Sequence, residues 1–429
     1  MLNVLLHNGR VISPETNTDA VLDVLILDGV IADVGRSVTT KKSVETLDLG
    51  GRMVLPGFLD MHVHLREPGY EHKETIETGC AAAAAGGFTG VCCMPNTNPP
   101  IDNESVVRFV KRQASATMGG LVDVFPIAAL TKGRDGKELA PMGELHDAGA
   151  VAFSDDGSPV ASAEVMRRAL EYVRMFDAPI IQHAEELSLT KGGAMNEGIV
   201  STSIGMPAMP PIAEELIVAR DIALVEYIGG RYHVAHVSTA GSLELIRRAK
   251  AKGLQVTCEV APHHFTLTDE AVRGFDTNTK MNPPLRTREN VEALKAGLRD
   301  GTIDAIASDH APHSVDEKQV EFISAPFGII GLETAVALAI TELVATNILT
   351  WSQFVEKFSV NPRRILQLPV PKIQPQEKAN LTLVDPEVEW VVDVSKFKSK
   401  SKNSPFHGER LTGKAVGVIN NGILHLAKD

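Results

Sequence analysis

In the stretch DMHVHLREPG (60–69), two histidines stand two positions apart at the end of an apolar run. Along an extended strand, side chains at i and i+2 point the same way, so His62 and His64 share a face and converge on one point. That is the spacing of a metal-ligand pair. Other apolar runs end in groups of the same chemistry: FSDDG in Asp155-Asp156, PIIQH in His183, YHVAH in His236 and AIASDHAPH in Asp309. Taken singly, His183 or His236 reads as a hydrogen-bonded core histidine, and Asp155-Asp156-Gly157 as a turn. Recurrence at the same place in successive units argues instead for one shared site. Four histidines and two aspartates suffice to hold two divalent cations and leave places for water. His7, His72, His146, His407 and His425 lack this context and read as surface or loop residues.

Such groups meet only if the strand ends meet. Between residues 54 and 310, eight apolar runs alternate with helix-like segments: LPGFLDMHV, FTGVCCM, LVDVFPIAAL, GAVAFS, PIIQH, YHVAHV, QVTCEV and TIDAIAS. The spacers carry helical character, as in ESVVRFVKRQASA, AEVMRRALEYVRMF and AEELIVARDIALVEYI. Strands apolar on both faces, each followed by a helix, pair in parallel through βαβ units. Eight units predict a (β/α)8 barrel rather than a doubly wound sheet, with all C-terminal strand ends opening on one face. The Ala81–Ala85 run reads as close helix packing. Residues 1–53 and those from about 366 onward show short alternating strands with turns, and the Pro-rich QLPVPKIQPQ marks the exit from the barrel. The expected organisation is a barrel at 54–365, with 1–53 and 366–429 pairing into one small β-sandwich.

Bulk properties set bounds. A chain of 429 residues suits one large domain plus a smaller one. A net charge of −12 with dispersed lysines and arginines argues against a nucleic-acid surface. The N-terminus lacks a basic region followed by a long apolar one, and the most apolar helix-like run, TAVALAITELVA, is interrupted by Glu342, so no membrane span is expected. Cys80, Cys92, Cys93 and Cys258 form no CxxC pair or disulfide framework, which suits a reducing cytoplasm.

The chain resembles the amidohydrolase superfamily and, within it, the bacterial class I dihydroorotases. The matching stretches are DMHVHLREPG (60–69), MPNTNPP (94–100), FSDDG (153–157), QHAEE (182–186), HVAHVST (233–239), APHHF (261–265), MNPPLR (281–286), SDHAPH (308–313) and APFGIIGLET (325–334). HxH alone is a superfamily signal, whereas HLREPG with MNPPLR and SDHAPH is specific. The resemblance implies reversible cyclisation of N-carbamoyl-L-aspartate to L-dihydroorotate, a step of pyrimidine synthesis. It implies two Zn2+ ions, with His62 and His64 on one and His183 and His236 on the other. The bridging aspartate falls in the Asp155-Asp156 pair, and family spacing back from His183 favours Asp156. Asp309 matches the metal-bound catalytic aspartate. Arg66, Asn96 and His313 match residues that hold the substrate carboxylate, and His64 also faces substrate. Asn282 and the backbone of Phe327-Gly328 match contacts to the pyrimidine ring. A homodimer is implied too, and some relatives associate with aspartate transcarbamoylase. Hydantoinases, dihydropyrimidinases and allantoinases commonly carry a carboxylated lysine at the end of the fourth strand. GAVAFSDDG offers none, which counts against those activities. A non-catalytic scaffold homologue would be expected to have lost metal ligands, and here every expected position is filled.

The implied chemistry explains the residue types. Opening a cyclic amide near neutral pH needs a strong nucleophile, and zinc lowers the pKa of water it binds to about 7. Asp309 as general acid and base would contribute about 10²–10⁴-fold. Arg66 suits the free carboxylate that separates dihydroorotate from dihydrouracil, because a guanidinium fork matches a carboxylate. Its competing role is a salt bridge to Glu67 or Asp60. The polar stretch 313–319 shows no strong helical pattern and is expected to be a mobile loop over the substrate.

Overall fold

A computed structural model describes residues 2–427. The eight apolar runs become eight parallel strands because each is buried on both faces and followed by a helical return. They are β6 (Phe58–Val63), β7 (Phe88–Cys93), β8 (Asp123–Ala128), β9 (Ala152–Phe153), β10 (Pro179–Gln182), β13 (Arg231–Val234), β14 (Val256–Val260) and β15 (Ala305–Ile306). They neighbour one another in chain order. A bridge from Val63 to His310 and a bond from His64 N–H to His310 O (2.9 Å) join the first unit to the last, making a closed barrel. Leu59, Met61, Cys92, Ile127, Ile181 and Ala305, drawn from strands all around it, form one buried cluster that fills the interior beneath the strand ends.

Around the barrel the helices are set by their caps. Asn103 accepts from the N–H groups of Ser105 and Val106 and starts Glu104–Ala116, which turns Val106, Val107, Val110 and Ala114 inward. The alanine-rich helix Ile76–Ala85 buries Gly79, Cys80 and Ala82 to Ala84, and small side chains permit this close seating. At Gly79 an added Cβ would meet Leu65 Cδ2 at 2.4 Å, so this packing fixes the chain beside His64. A short helix over Met142–Ala148, absent from the sequence expectation, fills the return between β8 and β9. Residues 313–319 also differ from expectation. Val315–Lys318 forms one helical turn because Ser314 and Glu317 make a reciprocal capping box.

Strands from both chain ends share one eight-stranded sheet. Its members are β1 (Val4–Ser13), β2 (Thr18–Leu27), β3 (Val30–Gly35), β4 (Glu45–Asp48), β5 (Met53–Pro56), β16 (Leu381–Val391), β17 (Arg410–Asn420) and β18 (Ile423–Leu426). β1 pairs with β4 along Val4–His7 and with β5 at Arg10 and Val11, so the sheet forks there. β5 pairs on its other side with β16, antiparallel. Val4, Val24, Ile26, Val54, Leu381 and Ile419 share its core. β5 runs through Gly57 directly into β6. A Cβ at Gly57 would sit 1.8 Å from Asn380 Oδ1, so only glycine allows the sheet to meet the barrel this closely. The remaining strands, β11 (Met195–Asn196) and β12 (Ala208–Met209), form a small parallel ribbon. Among the described residues no helix is long and apolar enough to cross a membrane.

Candidate metal centre

His62 closes β6 and His64 follows it, with ring centroids 5.5 Å apart. His62 Nδ1–H donates to Glu259 Oε1 at 2.6 Å, and His64 Nδ1–H donates to Asn96 Oδ1 at 2.8 Å. Both rings therefore turn Nε2 toward the barrel axis. His62 Nε2 lies 3.4 Å from Asp156 Oδ1 and 3.6 Å from Asp309 Oδ1. His64 Nε2 lies 3.1 Å from Asp309 Oδ1 and 3.6 Å from Asp156 Oδ2. On the opposite side, His183 Nδ1 and His236 Nε2 are 3.0 Å apart, at 3.9 and 3.7 Å from Asp156 Oδ1. Two trios result, His62–His64–Asp156 and Asp156–His183–His236, and within each the possible ligand atoms all lie within 4.8 Å of one another.

His62 Nε2 and Asp156 Oδ1 are buried without a hydrogen-bond partner. Orphaned polar atoms are costly in a protein interior, and here they face each other, so the donor set fits a cation held between them. The electrostatics agree. Burial pushes His62 down, but Asp156 and Glu259 outweigh it and raise it well above the usual imidazole range. Burial pushes Asp156 up, yet His62 and His236 hold it well below the carboxylate range. Asp309 is depressed in the same way, burial being overcome by His64 and His62. The site calls for positive charge.

Asp155 turns away from this centre. It accepts from Leu130 N–H (2.9 Å), Thr131 N–H (3.0 Å) and the Thr131 hydroxyl, so of the two adjacent aspartates only Asp156 joins the trios.

The residues expected at substrate form two connected arms. In one, Arg66 Nε–H donates to Pro312 O (3.2 Å), its NH2 lies 3.5 Å from His313 Nε2, and His313 Nε2–H donates to Phe327 O (2.8 Å). Gly328, at φ +121°, donates its N–H to Lys280 O. In the other, Asn282 donates to Glu185 Oε2 (2.9 Å), which also accepts from His183 Nε2–H (2.9 Å). Among the described residues no carboxylate lies within 4.0 Å of Arg66. Asp60 instead receives the N–H groups of His62 and Ser308, and Glu67 that of Ile76. Burial lowers Arg66 to about 10, which leaves it cationic at neutral pH. The 313–319 turn is anchored: Lys318 Nζ donates to Pro326 O (2.8 Å) and Thr277 O (3.0 Å), and Lys73 pairs with Glu317 at 2.7 Å.

Two carboxylates in this network have no counterpart in the sequence reading. Glu259, 1% exposed on β14, orients His62 and lies 3.3 Å from His233. Glu185 links His183 to Asn282. The available signal was Glu259 itself, a charge inside QVTCEV, because a carboxylate in a strand buried on both faces needs a partner. Three site residues also hold left-handed backbone: Arg66 (φ 62°), His236 (φ 29°) and Asp309 (φ 48°). Such conformations cluster where surrounding structure dictates a side chain's aim.

Comparison with known proteins agrees with this architecture. A family model described as Dihydro-orotase-like matches residues 51–242. A dihydroorotase of Pelobacter propionicus is 52% identical over 421 residues, covering 98% of this chain and 99% of that protein. One of Pelotomaculum thermopropionicum is 53% identical and covers 98% of each. Among solved structures, L-hydantoinase (dihydropyrimidinase) from Arthrobacter aurescens superposes with a TM-score of 0.88 at 26% identity, over 100% of this chain and 98% of that one.

Proposed function

The chain belongs to the dihydroorotase family, and on that premise we propose that it interconverts N-carbamoyl-L-aspartate and L-dihydroorotate. The observation that carries the reading is the joining of a cation-seeking cluster to a cationic arm. His64 and Arg66 share one loop, Asp309 and His313 share another, and among the described residues no carboxylate lies within 4.0 Å of Arg66.

His62 and His64 would hold one zinc ion, His183 and His236 the other, with Asp156 between them and Asp309 beside the first. When bound, zinc lowers the pKa of coordinated water to about 7 and polarises the carbonyl under attack. Asp309, ionised beside His64 and His62, takes the proton of the attacking water at Oδ and passes it to the ring nitrogen as the C–N bond breaks. In the synthetic direction it takes that proton from the ureido nitrogen. Arg66 meets the free carboxylate with its guanidinium fork. Burial and the nearby Arg66 push His313 down, so its neutral ring adds no second charge there. Asn282, held by Glu185, faces the ring amide.

Hydantoinase-type chemistry is the neighbouring activity on this fold. The end of β9 carries Asp156 and no lysine, and Arg66 suits a charged substrate. Ring opening by purified protein, on dihydroorotate, dihydrouracil and hydantoin before and after chelation, tests the reading. Zinc-dependent turnover of dihydroorotate alone is expected. Turnover of the uncharged rings in its place would refute it.

A further inference from the structure

The chain between β16 and β17 leaves the small sheet and crosses the mouth of the barrel. Lys398 N–H and Ser399 N–H donate to the Glu333 carboxylate at 2.8 and 3.0 Å. Lys400 N–H donates to Glu74 Oε1 at 3.0 Å, and the Ser401 hydroxyl to Lys73 O at 2.7 Å. This tie runs from the loop after β6, which carries Arg66, to the segment beyond β15.

At its far end lies Asn403, 5% exposed, with both ends of its amide in use. Nδ2 donates to Ala311 O and to Gly328 O, each at 3.1 Å. Oδ1 accepts from His313 N–H at 3.1 Å. The Asn403 carbonyl accepts from Ile330 N–H at 3.0 Å. One side chain thus joins the loop bearing His313 to the loop bearing Phe327 and Gly328. An amide suits this place, having two donors and an acceptor. Leucine would leave three buried backbone groups unpaired, and aspartate would set an oxygen against two carbonyl oxygens.

We propose that Asn403 is a positioning residue for substrate. It fixes the separation between His313 on the carboxylate side and the Phe327-Gly328 backbone on the ring side, and it acts from outside the barrel. The inference rests on the dihydroorotase reading. It assigns to the C-terminal extension a part in recognition rather than in packing alone.

The test compares Asn403→Leu with Thr341→Val. Thr341 bonds the same extension to the barrel wall through Thr412 N–H at 3.0 Å. A purely structural tie predicts the same result for both, a lower melting temperature and an unchanged KM. Positioning predicts that Asn403→Leu alone raises KM for dihydroorotate about tenfold or more, with a smaller change in kcat and zinc content at the wild-type level. A KM within twofold of wild type, or zinc lost in step with activity, overturns the proposal. Should Asn403→Leu fail to fold, Asn403→Asp keeps the volume and is read by the same criteria. A wild type that does not turn over dihydroorotate sinks the proposed reaction by itself. The comparison then passes to orotate, which carries the same carboxylate on an unsaturated ring, through its dissociation constant. Tenfold weaker binding by the variant supports positioning. Equal binding, or none by the wild type, overturns it.

Discussion

Glu259→Gln isolates what a buried carboxylate does for a ligand it touches from behind. The substitution keeps the volume and leaves an acceptor 2.6 Å from His62 Nδ1, but removes the negative charge. A hydrogen bond to a charged partner is worth about 1.5–3 kcal/mol, and a neutral one about 0.5–1.5. The difference, about 1–1.5 kcal/mol, falls on the orientation and basicity of His62 and hence on the cation it faces. Groups that orient metal ligands typically contribute about 10–100-fold to metal affinity, roughly 1.4–2.8 kcal/mol. The first route corresponds to about 5–13-fold and the second to about 10–100-fold. Zinc affinity measured by competition with a chromogenic chelator is therefore expected to fall by about 5–100-fold. Dihydroorotate KM at saturating zinc should stay near the wild-type value. Affinity within threefold of wild type would show that His62 needs no carboxylate behind it, and the argument from the Glu259 pair would fail.

Arg66→Ala is expected to lower kcat/KM for dihydroorotate by about 10–100-fold, the worth of a charge-assisted bond, while zinc content by metal analysis is unchanged. Loss of zinc would make Arg66 structural. Asp309→Asn should lose about 10²–10⁴-fold in kcat with its melting temperature nearly unchanged, and wild-type turnover would eliminate Asp309 as the proton carrier. Away from the site, burial raises Asp221 to about 6, against the pull of Arg220. The folded protein therefore keeps a proton that the unfolded chain releases near pH 4. That stabilisation is complete below about pH 4 and is lost as pH rises through about 6, up to about 3 kcal/mol in all. Asp221→Asn cannot titrate, so wild-type stability minus variant stability should fall across this range in denaturant melts. A flat difference would refute the assignment.

The barrel was legible because its signals are local and periodic. Eight apolar runs, each spaced by a helix, leave little else for a chain to do, and all eight form the expected strands. The histidines and aspartates at their ends were legible for the same reason: position on a strand fixes where a side chain emerges. What escaped depends on contacts without local pattern. Glu259 meets His62 from 197 positions away, and nothing near either residue announces the pair. Positive φ at Arg66, His236 and Asp309 is imposed by tertiary packing, not by residue type. The turn at 315–318 carries no apolar periodicity, and its only local signal is the Ser314–Glu317 box that caps it. The crossing segment at 398–404 reads as a polar loop, and only its distant partners reveal what it holds.

The sheet built from both chain ends has a consequence for synthesis. β5 is completed early, with β1 on one side, but its other neighbour arrives only with β16. The bond from Phe58 N–H to the Thr382 hydroxyl spans 324 positions. At about 5–20 residues per second, the ribosome leaves that edge bare for roughly 15–65 seconds. Throughout that interval an apolar strand with one bare edge is attached directly to the first barrel strand and its two histidines. The nascent chain therefore carries a bare, aggregation-prone edge while the candidate metal ligands from Asp156 to Asp309 are being added, and all six are made before β16 covers that edge.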